Sequence, residues 1–394
     1  VPGRPGTWIV AVELAIMLAG GTLPTPLYVL YRRALHFSEI TLTLLFAAYV
    51  LGAFAALILL GRLSDELGRK RATMPAIATA AVSTLLFLFA DSLAMLFIAR
   101  VLSGFSVGLA SGAGTAWIAE LQGGRDRRRA SLLAVGANFA GLGCGPLLAG
   151  GLAQYAPWPL RLVYGIFLAM LLPAALAARG PKETVESPVA RLRDLSLRPR
   201  IGLPREIRAM FISPAATGFA TFSLLGFYTA LTPSLLERRL HQPNHTIGGA
   251  VVSELFAIGL ATLLLTRGTS SRAAMFAGLL LLPPSLALVI GAEQAQSLAL
   301  LLAGTALAGA SAALGYRGSL EVVNEIAPER RRAEVVSSYF VACYCGVSVP
   351  VVGIGVLSHP LGQGDADIVF ASIVALCAAA ALVMGWKYAP RRER

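Results

Sequence analysis

Charged residues are scarce in this chain: Asp, Glu, Lys and Arg make up 14% of its 394 residues, against about 25% in soluble globular domains. That is too little polar side chain to cover a water-facing surface. Histidine and cysteine are rarer still, with four of each. His36, His241, His245 and His359 all fall between apolar runs. His241 and His245 have metal-like spacing, but Pro243 between them and their loop setting argue against a metal site. Cys144, Cys343, Cys345 and Cys377 lie inside apolar runs, where Cys behaves as a small hydrophobe, so neither a disulfide nor a metal cluster is expected.

Two local signatures, of metal-dependent hydrolysis and of nucleotide binding, are missing too: no His-Glu-x-x-His and no phosphate loop. The chain is therefore not expected to be an enzyme or to carry a cofactor. Alternating segments of about ten residues, which a membrane barrel needs, are absent as well. The formal charge of +12 sits in short loops rather than on one face of a soluble domain, so no nucleic-acid partner is expected. No clear small-residue cleavage pattern follows the first apolar run, and that run is expected to be retained.

What the chain has in abundance is apolar sequence, 56% of it. It is gathered into runs of about 20 residues, each able to cross about 30 Å of hydrocarbon as a helix. Helices are predicted over 8–30, 39–60, 72–90, 92–118, 131–153 and 159–178, then over 209–232, 247–266, 272–291, 296–318, 334–357 and 366–388. Between the sets lies 179–208, rich in Pro and Arg, which cannot span a membrane. The expected organisation is a bundle over 1–178, a cytoplasmic linker over 179–208 and a second bundle over 209–394.

Loop charge sets the orientation. Only Arg32, Arg33, Arg161, Arg238 and Arg239 fall in loops on one side, and Arg100 and Arg317 lie within helices. The rest of the 33 Lys and Arg lie on the other side. Both termini are predicted to be cytoplasmic, in a multi-pass protein of the inner (plasma) membrane.

The two sets of helices repeat one another. Arg127-Arg128-Arg129-Ala130 opens the fifth run and Arg330-Arg331-Arg332-Ala333 the eleventh; Thr25-Pro26 in the first is echoed by Thr232-Pro233 in the seventh. Parallel repeats of this kind place a substrate near the midplane between halves that rock to give alternating access.

Three segments carry chemistry. Gly61-Arg62-Leu63-Ser64-Asp65-Glu66-Leu67-Gly68-Arg69-Lys70-Arg71 is a tight charged turn after the second run, in which Gly61 and Gly68 permit close helix approach. Asp65 is free to bond basic neighbours or the positive end of a nearby helix, such as the one starting near Ala333. The fourth run holds Arg100 with Gly104 four residues on, a cation that is costly in hydrocarbon unless it pairs or faces water. Coupling or substrate contact and structural pairing both remain open for it. The fifth run contains Gly136, Gly141, Gly143, Gly145, Pro146 and Gly150, small residues that let helices touch around a proline bend.

The first segment resembles the signature loop of the major facilitator superfamily, Gly-x-Leu-x-Asp-x-x-Gly-Arg-Lys/Arg-x, at every defining position. The Arg100 segment is similar to that family's Arg-x-x-x-Gly motif. The string Gly145-Pro146-Leu147-Leu148-Ala149-Gly150 resembles the antiporter motif Gly-Pro-x-x-Gly-Gly, with Ala149 replacing one glycine; glycine-rich packing alone is the competing reading. The resemblance implies an all-α membrane protein of the major facilitator fold, with twelve transmembrane helices in two pseudo-symmetric six-helix bundles. It implies that Gly61, Asp65 and Arg69 support the outward-open state and its switching. The closest fit is the twelve-helix drug and proton antiporter group. In the second half the equivalent loop, Thr266 to Arg272, lacks an acid matching Asp65, so the gate is expected to be asymmetric.

Carboxylates inside the hydrocarbon are the natural proton carriers, because burial favours the neutral form. Glu13, close enough to the start of the first run to reach water, and the deeper Glu254 are the candidates. Glu120, Glu321 and Glu325 lie at the cytoplasmic ends of the fourth and tenth runs and are read as inner-gate ion pairs. Arg317 and Glu321 stand i,i+4 and can pair with each other. Phe219, Phe222, Phe227, Tyr228 and Trp117 either line a cavity or pack. The expected function is export of a small hydrophobic or amphipathic molecule in exchange for protons, by a monomer in the lipid bilayer. Proton-coupled import or facilitation of a sugar or other small metabolite is the alternative, since fold does not fix function.

Overall fold

Hydrocarbon offers no water to backbone amides and carbonyls, so a chain of such runs satisfies them within helices. A computed structural model of the protein describes residues 5–60, 63–122, 127–185 and 202–387, without the side chains of 58–60, 63, 65, 127–129, 131, 330 and 333. All regular structure among the described residues is helical. It supplies 12 segments long and apolar enough to cross a membrane.

In chain order the α-helices are α1 (Pro5–Thr22), α2 (Tyr28–Leu35), α3 (Glu39–Leu60), the short α4 (Leu63–Leu67), α5 (Arg69–Leu88), α6 (Leu93–Leu121), α7 (Arg127–Tyr155) and α8 (Pro159–Ala177). After the connecting stretch come α9 (Arg208–Arg238), α10 (His245–Leu265), α11 (Ser271–Ala295), α12 (Leu298–Ile326), α13 (Arg332–Leu361) and α14 (Gln363–Lys387).

Two features depart from the sequence expectation. The first span, predicted as one helix over 8–30, is broken: α1 stops at Thr22, a single 3-10 turn covers Thr25–Leu27, and α2 completes the crossing. Pro24 and Pro26 have no N–H to give to the turn before them, which is why the α-helical ladder ends there. Elsewhere the helices outrun the apolar windows, α9 to Arg238, α11 to Ala295 and α12 to Ile326. Hydrophobicity stops at the membrane surface, but backbone hydrogen bonding carries on, and the added turns bring Arg238, Glu293, Glu321 and Glu325 onto helices.

The chain divides into two compact units. Unit 1 takes Val1–Ser38, Leu44–Pro199 and Asn244–Phe256; unit 2 takes Glu39–Thr43, Arg200–Pro243 and Ala257–Arg394. Unit 1 is centred on Val10, Leu14 and Leu18 of α1 against Val107, Trp117 and Ile118 of α6 and Ala134 of α7. Unit 2 has a core of Ile207, Phe211, Val323, Val335, Tyr339 and Cys343. There the Tyr339 and Ser319 hydroxyls share a hydrogen bond of 2.7 Å.

Candidate functional site

Inside unit 1 the break after α1 leaves the last carbonyls of that helix without the amides of a next turn. One of them, Gly21 O, accepts a hydrogen bond from Arg100 Nη1 at 3.1 Å. Arg100 on α6 is 1% exposed. Its guanidinium carbon lies 4.5 Å from the ring centre of Tyr49 and 5.6 Å from that of Tyr28, so two aromatic faces take the place of an anion. Its Nε has no acceptor, and among the described residues no carboxylate pairs with it.

Glu13 lies on the same α1, eight residues before Gly21 and thus about 12 Å away along the axis. The expected access to water is corrected by the structure: Glu13 is 6% exposed, beside Leu14 in the core that α1 forms with α6 and α7. Its Oε2 has no hydrogen-bond partner. The unit therefore holds a buried acid and a buried base that do not meet. A nearby cavity of about 10 Å³, lined by Met17, Ser83, Ser103 and Tyr164 among others, has room for about one water.

The glycine pattern of α7 serves two contacts. A Cβ at Gly141 would strike the Ala15 carbonyl and one at Gly145 the Ala19 carbonyl, both on α1; one at Gly150 would strike His245 O at the start of α10. Pro146 sits between these contacts and denies a donor to the carbonyl four residues back. That carbonyl, Leu142 O, accepts from Thr22 Oγ1 of α1 at 3.1 Å. The neighbouring Gly143 O accepts from Ser253 Oγ of α10 at 2.5 Å. Glu254, the residue after Ser253, is partly buried, and its Oε2 has no partner.

At the end of unit 1 where α5 begins and α6 finishes, the charged turn is tied down. Arg69 Nη2 meets Glu120 Oε1 at 2.6 Å, its Nε spans both Glu120 oxygens, and its Nη1 donates to Ser64 Oγ at 2.7 Å. Glu183, beyond α8, accepts the backbone N–H groups of Arg69 at 2.9 Å and Lys70 at 3.1 Å. A carboxylate there satisfies free amides and faces the positive end of the helix. Gly68 holds φ 100° and leaves room for that carboxylate, which a Cβ would meet at 2.5 Å. Trp117 Nε1 donates to Lys182 O at 2.9 Å and Lys70 Nζ to Arg179 O, so 179–185 docks on this end. Gly61 and the Asp65 side chain fall outside what the structure describes.

Unit 2 builds its corresponding turn with the roles exchanged. Arg317 on α12 donates to the carbonyls of Thr266 and Thr269 at 3.0 and 2.9 Å and stands 3.7 Å from Glu321. Ser271, the first residue of α11, donates to Glu325 at 2.6 Å. Here the helix carries the cation and the loop supplies acceptors, as a loop without an acid must. Of the aromatic candidates, Trp117, Phe227 and Tyr228 are fully buried, and Phe227 stacks on Phe370 at 5.2 Å.

The structure thus places Arg69 with Glu120, and Gly141, Gly145 and Gly150 in close helix contacts, while Glu13, Arg100 and Glu254 stay apart from one another's hydrogen bonds. Sequence reasoning passed over Glu183, assigned only to the linker, and Glu39, Glu293 and Asp367, which gather in unit 2. The sole sequence signal for Asp367 is an acid inside a predicted run, and Glu293 falls just past the run predicted to end at 291.

A family model described as Major Facilitator Superfamily matches residues 11–272. Two uncharacterized MFS-type transporters of Mycobacterium tuberculosis, from strains CDC 1551 / Oshkosh and ATCC 25618 / H37Rv, are each 32% identical over 146 residues, 35% of this chain and 21% of theirs. An MFS-type transporter of Aspergillus terreus (strain NIH 2624 / FGSC A1156) is 32% identical over 127 residues, 32% of this chain and 23% of that one. The match therefore spans about a fifth of the length of these curated relatives. Among solved structures, a bacterial homologue of the human lysosomal transporter Spinster aligns over 97% of both chains with a TM-score of 0.73 and 15% identity. A POT family transporter in complex with 5-aminolevulinic acid aligns over 97% of this chain and 96% of its own, with a TM-score of 0.76 and 12% identity. The human organic anion transporter MFSD10 (TETRAN) aligns over 97% of this chain and all of its own, with a TM-score of 0.69 and 17% identity. At these identities the likeness is one of fold.

Proposed function

Because this chain belongs to the major facilitator superfamily, we propose that it is a secondary active transporter exporting a small hydrophobic or amphipathic compound in exchange for protons, by alternating access. The observation that carries this reading is the buried Glu13 with an unpaired carboxylate oxygen, in the same unit as the buried Arg100 with no acid beside it. Ionisable groups kept in a membrane bundle without an opposite charge beside them are costly, and a cycle of proton binding gives them a use. Glu254 is the other candidate carrier, next to the Ser253 contact that ties α10 to the bend of α7. That bend is the segment resembling the motif of drug and proton antiporters, which favours the exporter reading.

Arg69, Glu120 and Glu183, with Gly61, Gly68 and Asp65 of the same turn, act as the gate on the cytoplasmic side, and Glu321 and Glu325 support its weaker counterpart. The protein works as a monomer in the inner membrane, with both termini in the cytoplasm, and leaves its cargo chemically unchanged.

The test is efflux of ethidium and tetraphenylphosphonium from cells expressing the full chain, before and after a protonophore collapses the proton gradient. Efflux that stops with the gradient is expected. Efflux that continues unchanged, or uptake driven by the gradient, overturns export by proton antiport.

A further inference from the structure

The end of unit 2 at which α9 and α11 finish and α14 begins gathers charges that the proposed cycle does not use. Glu39, the first residue of α3, pairs with Arg238 Nη1 at 2.5 Å and accepts from Ser234 Oγ at 3.3 Å. Arg239, which follows the last residue of α9, lies against Gly364 in the first turn of α14. Its Nε stands 3.9 Å from Glu293 Oε2 of α11. The Glu293 side chain is 2% exposed, and its Oε1 has no partner.

Asp367 on α14 is 1% exposed, and neither of its carboxylate oxygens has a hydrogen-bond partner. It sits beyond the free amides of the first turn, which end where Ala366 N–H bonds Gly362 O, so no backbone cap reaches it. Glu293, Glu39 and Arg239 all lie within its electrostatic reach. The other titratable groups at this end are Glu237 on α9, which has a partner of its own, Asp365 on α14, His359 in the last turn of α13, and His241 just beyond Arg239.

Charge balance decides what such a cluster holds. Glu39 occupies Arg238, which among the described residues of this end leaves one guanidinium, on a side chain 41% exposed, for two buried carboxyl groups. Two full negative charges there, with three of four oxygens lacking any donor, are strongly unfavourable in a desolvated site. A metal ion is not the remedy, since no group of three or more His, Cys, Asp or Glu among the described residues is placed to hold one. One proton balances the pair against Arg239.

We propose that Glu293 and Asp367 form a second proton-binding site, with Arg239 as its counter-charge. Binding converts one carboxylate to the acid and release restores it, with no other bond changed. In the orientation given by the loop Lys and Arg, this end faces outward and the site loads from that side. It depends on the transport reading only for the use made of the proton.

Infrared difference spectroscopy of the full-length protein in lipid nanodiscs, between acidic and alkaline buffer and without cargo, reads the site directly. A carbonyl band of a protonated carboxylic acid without strong hydrogen bonds is expected. It should be lost in both Asp367→Asn and Glu293→Gln, and kept in Glu13→Gln. A band unchanged in both pair variants overturns the site. Arg239→Gln leaves both acids in place and should let the band persist to higher pH; no shift overturns the role of Arg239. Dye efflux run in parallel separates the two proposals. The band with no efflux leaves the proton site standing and overturns export, and efflux with the band indifferent to both pair variants does the reverse.

Discussion

Thr22 of α1 donates its hydroxyl to the carbonyl of Leu142 on α7, at 3.1 Å. This is the carbonyl that Pro146 strips of its helical donor, so a neighbouring helix repairs what the proline breaks. In Thr22→Val the carbonyl is orphaned. The fold should lose about 1 kcal/mol, measured by unfolding in mixed micelles of dodecyl maltoside and dodecyl sulfate. Thr22→Ser should retain most of the stability.

Glu183 holds the first amides of α5 from a segment far along the chain. Glu183→Ala removes both the acceptor and the charge at a helix N-terminus and should cost about 1 kcal/mol. Glu183→Gln, which keeps an acceptor, should cost less. Limited proteolysis after residue 185 gives a second reading: faster cutting in the Ala variant is expected, because 179–185 docks through the same carboxylate.

Arg100 separates a structural role from a functional one. A buried cation without an acid burdens the fold, so Arg100→Leu should raise stability by about 1 kcal/mol or more while reducing ethidium efflux at least tenfold. Arg100→Lys keeps the charge but loses the planar contact with Tyr49 and should retain part of the efflux. A Leu variant that is destabilised but transports normally would make Arg100 a packing residue.

Glu254→Gln should abolish efflux driven by a pH difference in proteoliposomes while leaving ethidium binding within about twofold, a change of less than roughly 0.5 kcal/mol. The substitution keeps size and removes only the exchangeable proton. Normal pH-driven exchange by this variant would shift the coupling role to Glu13 or to the pair in unit 2.

The helical fold was legible because each apolar run is a local property, long enough in itself to demand a helix. The break in the first span was legible in principle too, since Pro24 and Pro26 stand two apart, yet continuous hydrophobicity masked it. Arg69, Arg100 and the glycines of α7 were found because each stands out from its own neighbours. Glu183 was not: its meaning depends on the free amides of Arg69 and Lys70, more than a hundred residues earlier. Asp367 escaped for another reason. An acid near a helix start ordinarily reads as a cap, and only the burial of both its oxygens shows that it is none.

The missing counter-ion beside Arg100 has an electrical consequence. With Glu13 ionised, its charge and that of Arg100 sum to zero; with Glu13 protonated, the charge of Arg100 is left unbalanced. Exchange of a neutral compound for one proton moves net charge through the bilayer, so membrane voltage adds about 2.3 kcal/mol per 100 mV for each charge that crosses. A monovalent cation cancels that charge and leaves only the pH difference to drive it. The valence of the cargo therefore sets which component of the proton-motive force powers the cycle, and with it how steeply cargo can be concentrated.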